Sequence, residues 1–260
     1  MRHQFRLFFI ALQFLTRCPV PRWVGFEPAW LQQCARWFPA VGTLVGAFAA
    51  LVLWAALQAW PPAIAVGLSM ATSVWLTGGF HEDGWADTCD GLGGAVSRER
   101  SLAIMKDSRI GSYGALGLVL MLGLKAASLQ ALAATDPRTA LGALVWAHTA
   151  SRAAPVWLMH RLPYAGDAEH AKAKPLAMQA GVGTLVAALA WVLGLTTLIA
   201  TATPRLLPML ALAAAAVIAT TGLTKRWLAR RLGGFTGDTL GACQQLTELA
   251  ALLAFAALLR

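Results

Sequence analysis

Charge is what this sequence has least of. Charged residues fill 13% of its 260 positions, about half of the roughly 25% usual in soluble domains. The 21 Lys and Arg and 12 Asp and Glu are too few to cover a soluble fold of this length. With 58% apolar residues and a mean hydropathy of +0.60, much of the surface must face lipid. Cysteine is scarce as well: Cys18, Cys34, Cys89 and Cys243 stand far apart with no C-x-x-C pair, which argues against a disulfide framework or a zinc site. The net charge of +9 is scattered between apolar runs and carries no RNA or DNA motif, so nucleic acid is not an expected partner. No fixed-period repeat or low-complexity linker divides the chain. Residues 1–260 read as a single membrane-embedded domain.

What is there is a series of long apolar runs. A spanning helix needs about 20 mostly apolar residues, and seven runs qualify, at 39–60, 62–80, 111–133, 139–159, 177–202, 205–223 and 242–259. Pro61-Pro62 and Pro204 separate neighbouring runs as turns between antiparallel helices would. Arg2–Leu15 is apolar but short, carries Arg2, His3 and Arg6, and lacks a small-residue cleavage site. It reads as an interfacial helix rather than a signal peptide. The expected fold is therefore all-α, a polytopic bundle of about seven transmembrane helices plus the N-terminal interfacial helix.

The distribution of Lys and Arg orients it. Sixteen fall in the N-terminal segment and in loops 81–110, 160–176 and 224–241, against Arg138, Arg205 and Arg260 on the other side. Lys and Arg mark cytoplasmic loops, which puts the N-terminus and these three loops in the cytoplasm.

Six of the twelve acids crowd into residues 82–107: Glu82, Asp83, Asp87, Asp90, Glu99 and Asp107. If residues 82–90 are helical, Asp83, Asp87 and Asp90 share one stripe at i, i+4 and i+7. Carboxylates stacked this way repel unless a cation lies between them, and oxygen donors suit Mg²⁺ or Mn²⁺. Glu82, Asp83, Asp87 and Asp90 are the candidate metal ligands, Mg²⁺ the expected cofactor, and His81 a candidate base or ligand. Lys106, Ser108 and Arg109 follow just before the third span, with Gly111 and Gly114 expected to let a ligand approach the backbone. Cations beside a carboxylate–metal centre suit a phosphate or pyrophosphate substrate. Farther on, Lys225, Arg226, Arg230 and Arg231 run into a Gly-rich turn, Gly233-Gly234-Phe235-Thr236-Gly237-Asp238. A Gly-rich turn feeding a helix N-terminus binds anions, which makes Gly237 a candidate phosphate contact and Asp238 a candidate ligand or base. Charges inside spans are costly and usually functional. Arg152 could reach a phosphate, Glu248 could pair with it or join the site, and Lys125 has no evident role.

These stretches resemble the bacterial cobalamin synthase family, the adenosylcobinamide-GDP ribazoletransferases. The resemblance rests on His81-Glu82-Asp83-Gly84-x-Ala86-Asp87-Thr88-x-Asp90-Gly91-Leu92-Gly93-Gly94, on Met105-Lys106-Asp107-Ser108-Arg109-Ile110-Gly111, on Arg231-Leu232-Gly233-Gly234-x-Thr236-Gly237-Asp238-x-Leu240-Gly241 and on Thr16-Arg17-Cys18-Pro19-Val20-Pro21. It covers nearly the whole chain, with Phe80 and Cys89 departing from the usual residues. It implies joining of adenosylcobinamide-GDP to α-ribazole or its 5′-phosphate, giving adenosylcobalamin or its 5′-phosphate and GMP. Metal at Glu82, Asp83, Asp87 and Asp90 would neutralise the pyrophosphate. Lys106, Arg109, Arg230 and Arg231 would take the remaining charge, and a carboxylate such as Asp238 would orient or deprotonate the ribose hydroxyl. The implied partners are these small molecules and the lipid membrane. A homo-oligomer, or association with other cobalamin-assembly enzymes, stays open. A CDP-alcohol phosphotransferase is the nearest rival, but its acidic halves would be reversed and fused here. A transporter is disfavoured because its site sits at mid-membrane on broken helices, whereas these acids are expected in a cytoplasmic loop.

Overall fold

The computed structural model describes residues 2–25, 27–94, 97–166 and 179–259. These form α1 (Arg2–Leu15), α2 (Pro28–Cys34), α3 (Phe38–Ala56), α4 (Pro62–Thr77), α5 (Phe80–Gly93), α6 (Arg98–Met105), α7 (Ser112–Thr135), α8 (Pro137–Ser151), α9 (Ala153–Arg161), α10 (Val182–Ala202), α11 (Leu207–Arg231) and α12 (Gly237–Ala257). No strand forms among the described residues, only a lone parallel bridge between Tyr164 and Phe235. The all-α expectation holds. Lys172, Lys174 and Arg260, which entered the charge count, lie outside the described residues, as does the start of the run expected at 177–202.

Among the described residues, five helical stretches are long and apolar enough to cross a membrane: Pro28–Ala56, Ser112–Thr135, Val182–Ala202, Pro204–Arg231 and Gly237–Ala257. The pair α4–α5, bent by 88°, makes a sixth if it is counted as one broken span. The expected count of seven is thus approximate, and the differences have local causes. The run at 139–159 is two helices because Pro155 lacks an N–H and its ring clashes with the Ser151 carbonyl. That breaks the ladder where Arg152 caps α8. The run at 62–80 stops at Thr77, because Gly78 and Gly79 both adopt left-handed backbone at φ +71° and turn the chain sharply into α5. The acidic segment expected in a loop is therefore a helix. Likewise α11 carries Lys225, Arg226, Arg230 and Arg231, which were expected in a loop.

Contacts between the turns order the two ends of the bundle. Asp136, before α8, is paired with Arg205, before α11, at 2.8 Å, so these two turns share one end. At the other end Arg98 Nε donates to Leu232 O at 2.7 Å and its Nη2 to Ala165 O at 2.9 Å. The three segments expected on one side of the membrane thus meet. Large apolar side chains on the outer helices remain exposed, including Val119 on α7, Leu193 on α10 and Ile218 on α11. No apolar core covers them, as lipid-facing surface requires. This is a multi-pass membrane protein. At the N-terminus, α1 buries Leu7, Ile10, Ala11 and Leu15 along one stripe.

Inside, α12 is the central post, packed on α5, α7, α8 and α11. Small residues allow its closest contact: a Cβ on Gly84 of α5 would stand 2.7 Å from Asp238 O, and one on Gly241 would stand 3.3 Å from His81 O. The two sequence signatures are thereby pressed together.

Candidate active site

A cavity of about 630 Å³ opens where α4 bends into α5. Its wall includes Glu82, Asp83 and Asp87 on α5, Gly78 and Gly79 at the bend, Ser108 and Ile110 from the segment before α7, and Arg17. Asp83 and Asp87 lie one turn apart on the same helix face. Arg17 is held by its own backbone, whose N–H donates to Leu76 O at 2.8 Å. Its guanidinium lies against Gly78, where a Cβ would come within 2.7 Å of Nε. Gly78 is therefore required twice, for its positive φ and for the room it leaves Arg17.

Asp90 does not share this wall. One carboxylate oxygen accepts from Gly111 N at 2.7 Å and the other from Gly114 N at 2.8 Å. It caps the exposed N–H groups at the start of α7, where a negative charge also meets the helix dipole favourably. Gly111 and Gly114 are small so that this carboxylate can reach them: a Cβ at either position would run into Asp90. The ligand expected to approach these glycines is thus a side chain of the protein itself.

Of the other residues singled out in the sequence, Ser108 alone lines the cavity. His81 is buried between α5 and α12, off the cavity wall. Asp238 and Gly237 sit in the first turn of α12, with the Asp238 backbone against Gly84. Thr236 closes a capping box with Thr239, so the Gly-rich turn is a well-formed helix start. Arg231 donates to Leu92 O at 3.2 Å and to Gly94 O at 2.9 Å, satisfying the carbonyl end of α5. Arg230 is exposed in the last turn of α11. Lys106 and Ser108 are exposed, and Arg109 lies over Asp107 at 2.6 Å. The hydrogen bonds from Arg109 hold the Asp107 carboxyl down to about 2.

Arg152 and Glu248 are deep in the bundle. Glu248 Oε1 meets Lys125 Nζ at 2.7 Å, and Oε2 meets His148 Nδ1 at 3.1 Å and Gln244 Nε2 at 2.6 Å. Arg152 Nη1 is 4.0 Å from Glu248 and 2.9 Å from His148 O, which it donates to. Lys125 is thus the closer cation. Sequence reasoning missed this role for Lys125, and it used Arg17 only in the charge count and in the N-terminal motif of the resemblance, with no role in the site. The signals were present, in a lysine inside a span and in the Thr16-Arg17-Cys18-Pro19 motif.

Among the described residues no cluster of three or more His, Cys, Asp or Glu has the arrangement to hold a metal ion. The four-carboxylate set expected from spacing is not assembled. Asp83 and Asp87 remain as two hard oxygen donors on a cavity wall. That donor set fits Mg²⁺, which keeps several waters and takes one or two carboxylates together with substrate phosphate oxygens.

Acids and a guanidinium on the wall of a cavity in an apolar helical bundle define the class, a multi-pass membrane enzyme. The family model for CobS, cobalamin-5-phosphate synthase, matches residues 7–256, and the chain belongs to this family. It is 62% identical over 255 residues to an adenosylcobinamide-GDP ribazoletransferase of Leptothrix cholodnii, covering 98% of this chain and 96% of that one. A protein of the same name from Shewanella pealeana is 45% identical over 248 residues, covering 95% and 93%. Another from Albidiferax ferrireducens is 43% identical over 272 residues, covering 96% and 97%. No solved structure matches the chain.

Proposed function

We propose that this protein joins adenosylcobinamide-GDP to α-ribazole or its 5′-phosphate, releasing GMP. The observation that carries the reading is the cavity at the α4–α5 bend, where Asp83 and Asp87 lie on a wall shared with Arg17 and Ser108. A pyrophosphate is neutralised by cationic hydrogen-bond donors and by metal ions, and this wall offers a guanidinium and two carboxylates that would hold the metal.

In this reading a ribose hydroxyl of the ribazole attacks the phosphate bonded to cobinamide. The new P–O bond forms as the P–O bond to GMP breaks, and the hydroxyl proton goes to a base. Bound at Asp83 and Asp87, Mg²⁺ would supply charge neutralisation for the pyrophosphate. Arg17 binds a phosphate oxygen, and Ser108 donates to another. Asp90 acts at one remove by docking the start of α7, so that Ser108 and Ile110 close over the cavity. Phosphoryl transfer needs chiefly positioning and charge stabilisation, and these residues supply both. We place the cavity on the cytoplasmic face of the inner membrane, since Arg17, Lys106, Arg109 and Arg231 gather at that end of the bundle.

The test is donor choice. Purified protein should turn over adenosylcobinamide-GDP with α-ribazole and leave a CDP-activated alcohol untouched. The reverse pattern would overturn the assignment.

A further inference from the structure

Behind the cavity wall lies a connected chain of buried polar groups. Gln245 Nε2 donates to Glu82 Oε1 at 3.1 Å, and Gln245 Oε1 accepts from Lys125 Nζ at 2.7 Å. Lys125 is paired with Glu248, which is held in turn by Gln244 and His148. Lys125, Gln245 and Glu248 are each 5% exposed or less. Glu82 borders both the large cavity and a narrow inner slit that Lys125, His148 and Glu248 also line. Its second oxygen, Oε2, is buried without a hydrogen-bond partner among the described residues.

Such a chain is expensive to build in an apolar bundle. Buried charges are tolerated only when paired and hydrogen-bonded, and a hydrophobic replacement is often neutral or stabilising. Stability alone therefore does not account for a lysine, two glutamines and two glutamates linked from α7 through α12 to α5. The pattern fits a device that fixes one carboxylate. Gln245 turns its amide N–H toward Glu82 because Lys125 occupies its carbonyl, and Lys125 stays put because Glu248 neutralises it. One oxygen of Glu82 is satisfied from behind, and the other is buried beside the cavity wall with no hydrogen-bond partner among the described residues.

We propose that Gln245, Lys125 and Glu248 are positioning residues of the transfer reaction, holding Glu82 at the cavity wall so that it accepts a hydrogen bond from a hydroxyl of the substrate. This role rests on the function proposed above. It differs from the metal-ligand role expected from the sequence: Glu82→Ala should leave the Mg²⁺ concentration for half-maximal activity unchanged, and a raised requirement would make Glu82 a ligand.

The experiment is a double-mutant cycle on GMP release by the full chain in detergent or lipid. Gln245→Leu should lower kcat about 10- to 100-fold, the range for losing a group that orients a reacting one, with KM and thermal midpoint little changed. Combined with Glu82→Ala it should add nothing, because nothing is left to hold. The same fold-loss in both backgrounds would make Gln245 a packing residue and overturn the proposal, as would near-normal kcat in Gln245→Leu or Glu82→Ala. Lys125→Met leaves Glu248 held by His148 and Gln244 and 4.0 Å from Arg152. Removing Glu248 as well would strand the buried Arg152, so the single variant is the one to measure. That protein should accumulate and show a kcat loss of the same order per folded molecule, and full activity would remove Lys125 and its pair with Glu248 from the role. Absence of GMP release by the wild-type protein would instead sink the assigned reaction, a result distinct from any of these.

Discussion

Replacing Asp90 by Asn separates a structural carboxylate from a metal ligand. Its two oxygens each accept a backbone N–H of α7, at 2.7 and 2.8 Å. Asparagine retains one acceptor but turns an amide N–H toward the other donor, so one charge-assisted bond worth about 1.5–3 kcal/mol is lost. Removing the negative charge from the helix N-terminus costs about 0.3–1 kcal/mol more. Together about 2–4 kcal/mol disappears, and the segment carrying Ser108 and Ile110 loosens. The thermal midpoint should fall by several degrees and kcat with it, while the Mg²⁺ concentration for half-maximal activity stays the same. Asp87→Asn should do the opposite, keeping the midpoint and raising the Mg²⁺ requirement about 10- to 100-fold. Gly114→Ala should reproduce the Asp90 phenotype, since the added methyl displaces the carboxylate. Recovery of Asp90→Asn activity at high Mg²⁺ would refute the reasoning and make Asp90 a ligand.

Three further outcomes follow from named contacts. Arg17→Ala should raise KM for the GDP-activated corrinoid roughly tenfold or more, with Arg17→Lys restoring part of it because an ammonium lacks the bidentate fork; an unchanged KM would take Arg17 out of the site. The Asp136 carboxyl is held below its ordinary value by Thr139, whose hydroxyl donates to it at 2.6 Å, and by the Arg138 N–H and Arg205. A depressed carboxyl contributes stability above its unfolded pKa of about 4 and loses it as pH falls through the folded value. Asp136→Asn should therefore flatten the loss of thermal midpoint on acidification below about pH 5, and a parallel curve would count against the cap. A reporter fused to the C-terminus should be active only outside the cytoplasm, as the charge asymmetry requires.

Much of the architecture was legible because it rests on local rules. Apolar run length marked the long spans, and Pro61-Pro62 and Pro204 marked turns between them. Arg2–Leu15 was readable from its apolar stripe. What escaped was set by single residues acting on helix geometry. Pro155 splits a span that hydropathy alone reads as continuous, and two left-handed glycines set the acidic helix at 88° to its predecessor. The site was half legible for the same reason. Helical spacing put Asp83 and Asp87 together, but it could not tell that α7 starts opposite Asp90 and uses its carboxylate. Arg231 has the composition of a phosphate contact and serves the carbonyl end of α5 instead. The cation that does line the cavity, Arg17, comes from 61 positions before Gly78, a distance no spacing rule bridges. The pairing of Lys125 with Gln245 and Glu248 likewise depends on which faces of α7 and α12 meet.

The stoichiometry of GMP release tests the central claim most directly. Purified protein supplied with adenosylcobinamide-GDP, Mg²⁺ and α-ribazole should release one GMP for each corrinoid joined, and almost none without ribazole, because the product keeps the phosphate bonded to cobinamide. Release of GDP, or of GMP without the acceptor at a comparable rate, would contradict the account.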